Sequence, residues 1–265
     1  PGSTRTGAAY EASGRDHAQP IRLLLVRHAQ SANRRLEKGQ CASADPALSE
    51  LGYEQAEALG RRLAKDFGPA GSRRSNSVLV VSSPMRRCLM TIEPAVSSLR
   101  LPRDACLCHA SCFEFGCAGK GFGGSTSEDI VAEFPNFTPV GFHSGGRWDY
   151  RGTAVKETEA ECRERGARIV EWLRAEGAAL AKARAVDGEA AVIVLCIHRT
   201  LADLLCRILL EGNSAKWSYG DIDYPLRNAS ITELLLHPGG QATKGPRGID
   251  DSAHLAMVDC RRSSV

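Results

Sequence analysis

Three strand-length runs of aliphatic residues limit the folds open to this chain more than any other feature. The runs are IRLLLV (21–26), SVLVV (77–81) and VIVLCI (192–197). Continuous apolar runs of this length are typical of strands buried on both faces, as in a parallel sheet covered by helices. Each run ends abruptly in polar residues, namely Arg27-His28, Ser82-Ser83-Pro84 and His198-Arg199-Thr200. Because parallel strands end at one edge of a sheet, these polar residues are expected to meet at a ligand-binding crevice.

Amphipathic segments between these runs predict helices that cover the sheet. The expected helices are 49–67 with Ser49 as N-cap, a segment from Pro84 to about residue 97, 157–177 and 200–210. A third strand pattern starts at residue 107, at the head of LCHASCFEF (107–115), a further strand pattern lies at 231–237, and residues 254–260 are a candidate edge strand. The predicted fold class is α/β, with three α/β/α layers around a mostly parallel central sheet.

A glycine-rich stretch between 116 and 155 interrupts this alternation of strands and helices. It contains nine glycines and two prolines without a sustained hydrophobic period, so an inserted loop or lid is expected there. Residues 1–20 also lack periodicity and are interpreted as a flexible N-terminal arm or an expression remnant. Residues 21–265 are therefore expected to form a single domain with an insertion.

The overall charge argues against a nucleic-acid-binding protein. The chain carries a formal net charge of +3 and is 43% hydrophobic, which is ordinary for a soluble globular protein. Its apolar runs are all shorter than the roughly 18 residues that a membrane span needs. We expect a cytoplasmic protein with no nucleic-acid and no membrane partner, and the sequence leaves its oligomeric state open. Most of the ten cysteines fall in apolar patterns and are interpreted as reduced core residues.

Histidines and arginines at the predicted strand ends have a composition suited to a phosphate dianion. A neutral imidazole can attack phosphorus and form a phosphohistidine, and arginine meets the phosphoryl oxygens with a planar fork that stays protonated. The leaving oxygen needs a proton, which Glu114, just after the third predicted strand, is placed to supply. Glu157 and Glu159 are alternative acids. No metal or cofactor is required if the arginines provide the positive charge.

A resemblance to a known family is carried by three motifs in order, RHAQS (27–31), SSPMRRCLMT (82–91) and CIHRT (196–200). They resemble the motifs of the histidine phosphatase superfamily and its phosphoglycerate mutase-like branch. DPALSELGYEQAEAL (45–59) and NASITEL (228–234) support the resemblance. It implies that His28 is the phosphorylated nucleophile, that Glu114 is the proton donor, and that the phosphate is held by Arg27, Arg87 and His198.

Some positions depart from the family pattern. The Asn that the family normally has seven residues after the arginine is replaced by Arg34, while Asn33 comes one residue earlier. Either side chain is therefore a candidate phosphate contact. Arg199 stands where the family usually has Gly after the second His, and it would either suit a substrate with additional negative charge or point to solvent. Ser31 is a further candidate contact, and Ala29 replaces the usual Gly.

Within the family, the motifs favour a phosphatase over a phosphoglycerate mutase. The mutase branch is expected to carry Trp-Asn after its first motif and Arg-His-Tyr-Gly after its catalytic Glu, whereas this chain has Asn33-Arg34 and Phe115-Gly116-Cys117. The predicted function is metal-independent hydrolysis of a phosphomonoester, carried by a small substrate or a phosphoprotein. The alternatives are a mutase and, from another class, a non-catalytic phospho-ligand or partner-binding module.

Three other features have weaker functional interpretations. GKGFGG (119–124) matches a dinucleotide-binding fingerprint but does not open a helix after the first strand, so a lid is favoured. A group of potential zinc ligands lacks the paired spacing of structural zinc sites; it comprises Cys106, Cys108, His109, Cys112 and Cys117. Four residues of the insert either touch substrate or anchor the insert to the core, namely Arg147, Trp148, Tyr150 and Arg151.

Overall fold

The computed structural model describes residues 19–35, 43–68, 77–118, 124–143, 146–149, 155–184, 190–238 and 240–260. The expected N-terminal arm lies outside the described residues except for its last two positions. Tyr150, Arg151 and most of the GKGFGG motif also lie outside them.

Strands and helices alternate along the chain as the sequence predicts. The elements are β1 Ile21–Arg27, α1 Glu50–Phe67, β2 Val78–Ser82, α2 Arg86–Leu99, β3 Cys106–His109, α3 Ser127–Glu133, β4 Thr138–Val140, α4 Glu159–Arg184, β5 Val192–Ile197, α5 Arg199–Glu211, β6 Ile231–Leu236, β7 Thr243–Lys244 and α6 Ala256–Cys260. No helix in the described part of the chain is both long and apolar enough to cross a membrane.

The strands form one sheet in the order β4-β3-β2-β5-β1-β6-β7. β1 and β2 both pair in parallel with β5, which lies between them, and β3 and β4 extend the parallel part. β6 runs antiparallel to β1, and β7 antiparallel to β6. The prediction of a mostly parallel central sheet is confirmed, and the carboxyl ends of β1, β2 and β5 lie side by side at one edge.

Alternate side chains of the central strands pack into two separate hydrophobic cores, one on each face of the sheet. Leu24 and Val26 of β1 pack with Leu59 and Leu63 of α1 and with residues of α2, whereas Leu23 packs on the opposite face with residues of α4 and α5. This alternation follows from the period of two along a strand. Both faces are apolar because both are covered, which is why these strands read as continuous hydrophobic runs.

The start of α1 agrees with its predicted cap, but α2 starts later than expected. The Ser49 hydroxyl accepts a hydrogen bond from the Gly52 amide at 3.1 Å, which satisfies one free N–H group of the first turn. α2 begins at Arg86 instead of Pro84. The Asp45 carboxylate, which comes from a distant loop, accepts the Arg86 amide with both oxygens at 3.1 Å. This long-range cap favours a helix start that the local sequence does not indicate.

The middle of the chain is more regular than predicted. β3 ends at His109 and is followed by a 3-10 turn, Ala110–Cys112, so that Glu114 lies beyond the strand. The stretch predicted as an irregular insert contains α3 and β4, and β4 pairs in parallel with β3. α3 has a capping box, in which Thr126 and Asp129 exchange side-chain and backbone hydrogen bonds. The insert therefore adds a strand to the sheet edge.

The prediction of an edge strand at 254–260 was also wrong. These residues form the end of a 3-10 turn and then α6, and β7 is the edge strand instead. Leu255 and Val258, three residues apart, are both buried in one small cluster with Ala56 and Ala58 of α1. A spacing of three places both side chains on one face of a helix, where they can pack together. α4 also extends beyond its predicted end, to Arg184.

Candidate active site

A cavity of about 480 Å³ opens at the carboxyl edge of the sheet. Its described lining comprises Arg27, His28, Ser31, Asn33, Arg34, Ser43, Ala44, Pro46, Arg87, Glu114, Cys117, Arg199 and Thr200. Eight of the nine candidate residues from the sequence line it, and the ninth, His198, lies beside His28 with its ring centroid 5.2 Å away. Residues far apart in sequence thus meet where the parallel strands end.

His28 is held with one ring nitrogen fixed by the backbone. Its Nδ1 lies 2.7 Å from the carbonyl oxygen of Ala29. A carbonyl only accepts hydrogen bonds, so Nδ1 carries the proton and Nε2 keeps its lone pair. The pKa of His28 lies well below its ordinary value, mainly because burial and the nearby Arg87 disfavour the cation. The ring is therefore a neutral imidazole, the form that acts as a nucleophile.

Three hydrogen bonds fix the backbone around His28. The Asn228 side chain donates to the His28 carbonyl oxygen at 2.8 Å, and the Ala29 amide donates to the Thr91 hydroxyl of α2 at 2.9 Å. The next amide, that of Gln30, donates to the Gln55 side chain of α1 at 2.9 Å. These contacts tie the turn after β1 to both helices on one face of the sheet and pre-organise the imidazole.

His198 is fully buried and bonded to a second strand end. Its Nε2 lies 2.7 Å from the hydroxyl of Ser83, and the Cys88 sulfur lies 3.5 Å from the same nitrogen. Burial, followed by the positive charge of Arg87, holds the pKa of His198 well below its ordinary value. This second imidazole is therefore neutral as well, and Ser83 limits its rotation.

The two arginines that the resemblance assigns to the phosphate line the same cavity as His28. Arg27 donates from Nη1 to the Leu226 carbonyl at 2.6 Å, and its buried Nε has no hydrogen-bond partner among the described residues. Burial, followed by the nearby positive charges of Arg199 and Arg34, lowers the pKa of Arg27 to about 10. Arg87 is buried, with Nη1 3.7 Å from Asp45. An anion in the cavity would offset this concentrated positive charge.

Arg86 is directed away from the cavity. Its guanidinium is bonded to the carboxylate of Glu133, at the end of α3. Arg86 is not among the described residues that line the cavity, whereas its neighbour Arg87, to which the resemblance assigns the phosphate contact, is.

Glu114 lines the cavity and is attached to the N-terminus of α5. Its carboxylate accepts hydrogen bonds from the amides of Thr200 (3.2 Å), Leu201 (3.1 Å) and Phe115 (2.9 Å). Burial raises the pKa of Glu114, although these amide donors and Arg87 act in the opposite direction. A carboxyl group with a raised pKa in reach of the cavity suits a general acid.

The two alternative acids are engaged elsewhere in the fold. Glu157 forms a buried ion pair with Arg165 at 2.6 Å. Glu159, in the first turn of α4, accepts hydrogen bonds from the Ser218 hydroxyl and the Tyr219 amide. Neither lines the cavity, so the geometry favours Glu114 of the three candidates.

Asn33 and Arg34 both line the cavity, but their side chains are in different situations. The Asn33 amide group donates to the Ser43 carbonyl at 2.8 Å and accepts from the Ser43 amide at 3.1 Å, so it closes the loop after β1. Arg34 is exposed and forms no ion pair with another described residue. Ser31 forms an isolated bridge with Leu48 on the same side of the cavity. Arg34 is therefore the better placed of the two to meet an anion.

Asp45 is a site residue to which the sequence analysis assigned no role. It is buried, it caps α2 through the Arg86 amide, and it lies 3.7 Å from Arg87. Burial raises the pKa of Asp45, against the opposing effect of the Arg86 amide and the two arginines. Its place at the head of the DPALSELG segment was a signal, but its contact with α2 appears only in the fold.

The cysteines of the potential zinc group are divided between different parts of the fold. Cys106 and Cys108 belong to the core under α1 and α2, whereas Cys112 belongs to the core on the opposite face. The Nδ1 of His109 accepts the Ser111 amide at 3.1 Å. No cluster of three metal-ligating side chains occurs within the described ranges.

Trp148 anchors the insert to the core, Arg147 bonds within the insert, and neither is among the described residues that line the cavity. Trp148 is buried and stacks on Phe113 with 5.2 Å between ring centroids, and Arg147 donates to the Gly124 carbonyl at 2.5 Å.

Comparisons with known proteins agree with this geometry. The model of the histidine phosphatase superfamily (branch 1) matches residues 23–246. No curated protein matches the chain.

Solved structures with the same fold include three named as hydrolases or phosphatases. The mycobacterial hydrolase 2 has 20% identity and a TM-score of 0.52, covering 92% of this chain and 98% of its own. The ecdysone phosphate phosphatase of Bombix mori, solved with tungstate, has 16% identity and a TM-score of 0.51, with 88% and 96% covered. The mycobacterial glucosyl-3-phosphoglycerate phosphatase has 22% identity and a TM-score of 0.50, with 87% and 100% covered. At these identities the likeness concerns the fold. The family match over most of the chain carries the assignment: this protein belongs to branch 1 of the histidine phosphatase superfamily.

Proposed function

We propose that this protein is a phosphatase that hydrolyses a phosphomonoester through a phosphohistidine at His28. The observation that carries the proposal is the state of His28, a neutral imidazole whose Nδ1 is bound to the Ala29 carbonyl. Its free nitrogen faces a cavity that Arg27, Arg87 and Glu114 also line. Nucleophile, positive charge and acid are thus within one site.

In the first step, Nε2 of His28 attacks phosphorus and the bond from phosphorus to the leaving oxygen breaks. Arg27 and Arg87 balance the charge on the transferring phosphoryl oxygens, and His198, whose ring lies beside that of His28, completes the phosphate pocket in this proposal. Glu114 gives its proton to the leaving alcohol. In the second step, a water molecule attacks the phosphohistidine while Glu114 takes up its proton, which releases inorganic phosphate and restores the enzyme.

We propose that the reaction is independent of metal ions. Arginines at four positions of the cavity lining, namely Arg27, Arg34, Arg87 and Arg199, provide the positive charge that a metal supplies in other phosphatases. Activity that is unchanged by EDTA would support this part of the proposal, and loss of activity that added Mg²⁺ or Zn²⁺ restores would contradict it.

The proposal is tested with p-nitrophenyl phosphate and with trapping of the phosphoenzyme. Wild type should hydrolyse the ester and give an acid-labile, base-stable phosphoryl group on a peptide that contains His28. His28→Ala should lose both, whereas the matched control His237→Ala, at the end of β6 and outside the cavity lining, should keep both. Hydrolysis by His28→Ala at the wild-type rate would exclude His28 as the nucleophile.

The same preparation distinguishes the two alternative functions. With 3-phosphoglycerate, a phosphatase releases inorganic phosphate, whereas a mutase yields 2-phosphoglycerate. If wild type turns over no ester but binds vanadate in a titration, a non-catalytic phospho-ligand module is the better description.

A further inference from the structure

We propose that Arg34 and Arg199 form a second anion subsite next to the phosphate pocket. The substrate would then be a small, polar phosphomonoester that carries another anionic group, either a carboxylate or a second phosphate. This inference rests on the proposed phosphatase function and adds a substrate class to it.

The two arginines reach the cavity from separate elements. Arg34 lies in the 3-10 turn Ala32–Arg35 after β1, and Arg199 is the first residue of α5. Both line the cavity that contains His28. Their positions are therefore fixed independently by β1 and by α5, and they meet only at the carboxyl edge of the sheet.

Unlike Arg86 and Arg87, Arg34 and Arg199 have no acidic partner in the part of the chain that the structure describes. Arg86 is bonded to Glu133 and Arg87 lies 3.7 Å from Asp45. Arg34 and Arg199 are exposed, and neither forms an ion pair or a side-chain hydrogen bond with another described residue. Their guanidinium groups are consequently available to a ligand.

The positive charge of the cavity exceeds what one phosphoryl group neutralises. Four arginines line it, and Asp45 offsets part of the charge of one of them, Arg87. Glu114 is neutral when it holds the proton for the leaving group. A phosphomonoester dianion offsets two of the remaining positive charges, so at least one is left. A second anionic group on the substrate would match that charge.

Repulsion between these cations lowers the pKa of Arg27. After burial, the charges of Arg199 and Arg34 are the next largest causes that lower the pKa of Arg27. Both guanidinium groups are therefore close enough to act on the phosphate-binding arginine. Repulsion of this kind is relieved when an anion binds between the cations.

The remaining lining indicates a small and polar substrate. Beyond the charged residues and His28, the described lining consists of Ser31, Asn33, Ser43, Ala44, Pro46, Cys117 and Thr200. This lining has no aromatic or large aliphatic side chain to stack against an apolar leaving group. A volume of about 480 Å³ leaves room for more than a phosphoryl group.

The experiment compares pairs of esters that differ in one anionic group. The first pair is 3-phosphoglycerate and glycerol 3-phosphate, which differ by a carboxylate in place of a hydroxymethyl group. The second pair is fructose 1,6-bisphosphate and fructose 6-phosphate. Phosphate release gives kcat/KM for wild type, for Arg34→Asn/Arg199→Gly and for the control Arg168→Gln, which removes a charge from the exposed face of α4.

We expect wild type to prefer the more highly charged member of at least one pair by about tenfold or more in kcat/KM. The double variant should lower this ratio towards one, and Arg168→Gln should keep it. The pair that shows the preference identifies the second group as a carboxylate or a phosphate. Equal use of both members by wild type, or an unchanged ratio in the double variant, would overturn the subsite while leaving the phosphatase function intact.

A binding measurement separates failure of the subsite from failure of catalysis. Calorimetric titration of His28→Ala with the same four esters reports affinity without turnover. Tighter binding of the charged member by about tenfold, lost in the triple variant that also carries Arg34→Asn and Arg199→Gly, supports the subsite even if wild type hydrolyses nothing. Equal affinities within both pairs, or no binding of any of the four, would refute it.

Discussion

The buried ion pair between Glu157 and Arg165 gives a direct test of what a buried charge contributes to the stability of this fold. Arg165 donates two hydrogen bonds of 2.6 Å to the Glu157 carboxylate, and both side chains are at most 3% exposed. Its Nη1 donates to the carbonyls of Ser111 (2.8 Å) and Phe113 (3.0 Å), and its guanidinium lies 3.9 Å from the centre of the Phe113 ring. These contacts fix the segment that leads into Glu114.

Replacement of Arg165 by Met would leave the Glu157 carboxylate buried without its partner. Removal of one member of a buried pair costs about 3–5 kcal/mol, against a total stability of about 5–15 kcal/mol for a typical domain. For a chain of this size, about 1 kcal/mol corresponds to about 2–4 °C in Tm. We therefore expect Arg165→Met to lower Tm by about 6–20 °C. The double variant Glu157→Leu/Arg165→Met removes the unpaired charge and should regain most of the loss.

Urea unfolding followed by tryptophan fluorescence and circular dichroism measures these changes in free energy. Arg168→Gln is the matched control, because Arg168 lies on the same helix, is exposed, and is 4.0 Å from Glu164. An exposed pair contributes less than about 1 kcal/mol. A loss below about 1 kcal/mol for Arg165→Met, or a double variant no more stable than the single one, would refute the reasoning.

Three further predictions concern the site itself. Glu114→Gln should lower kcat on an alkyl phosphate by about 10²–10⁴-fold. It should affect p-nitrophenyl phosphate less, because p-nitrophenolate depends less than an alkoxide on receiving a proton as it leaves. Equal losses on both esters would argue against a general acid. The pKa of His28 lies well below 6.5, so the imidazole stays neutral and kcat/KM should not fall as the pH drops through 6.5. The pKa of Glu114 is raised, so kcat/KM should decline on the alkaline side as Glu114 loses its proton, and Glu114→Gln should lose that decline. A fall in kcat/KM near pH 6.5 on the acid side would contradict this. Asp45→Ala should cost about 1–2 kcal/mol in urea unfolding through loss of its cap on α2 and raise KM through Arg87, and an unchanged stability would show that the cap contributes little.

Local sequence carried enough information to predict most of the central sheet. The runs of β1, β2 and β5 are apolar, apart from Arg22 and the polar residues that end β1 and β2, because both faces of the sheet are covered. This composition can be recognised from the local sequence alone. The N-cap Ser49 and the periodicity of α1 are likewise local. The edge elements were predicted poorly: β4 is three residues long, and residues 254–260 are short enough to fit a strand or a helix pattern. For residues 254–260, only the packing of Leu255 and Val258 on α1 decides in favour of a helix over a strand.

The order of residues along the chain sets which residue types stand at the end of each central strand, and hence the chemistry available at that edge. Arg27 ends β1 and His28 follows it directly. Tertiary structure decided how each group is held, because the partners lie far apart in the chain. Glu114 accepts amides of α5, and Asp45 accepts the first amide of α2 and faces Arg87. Hydrogen bonds and charge repulsion depend on distances that only the folded chain sets, so these roles could not be derived from sequence order.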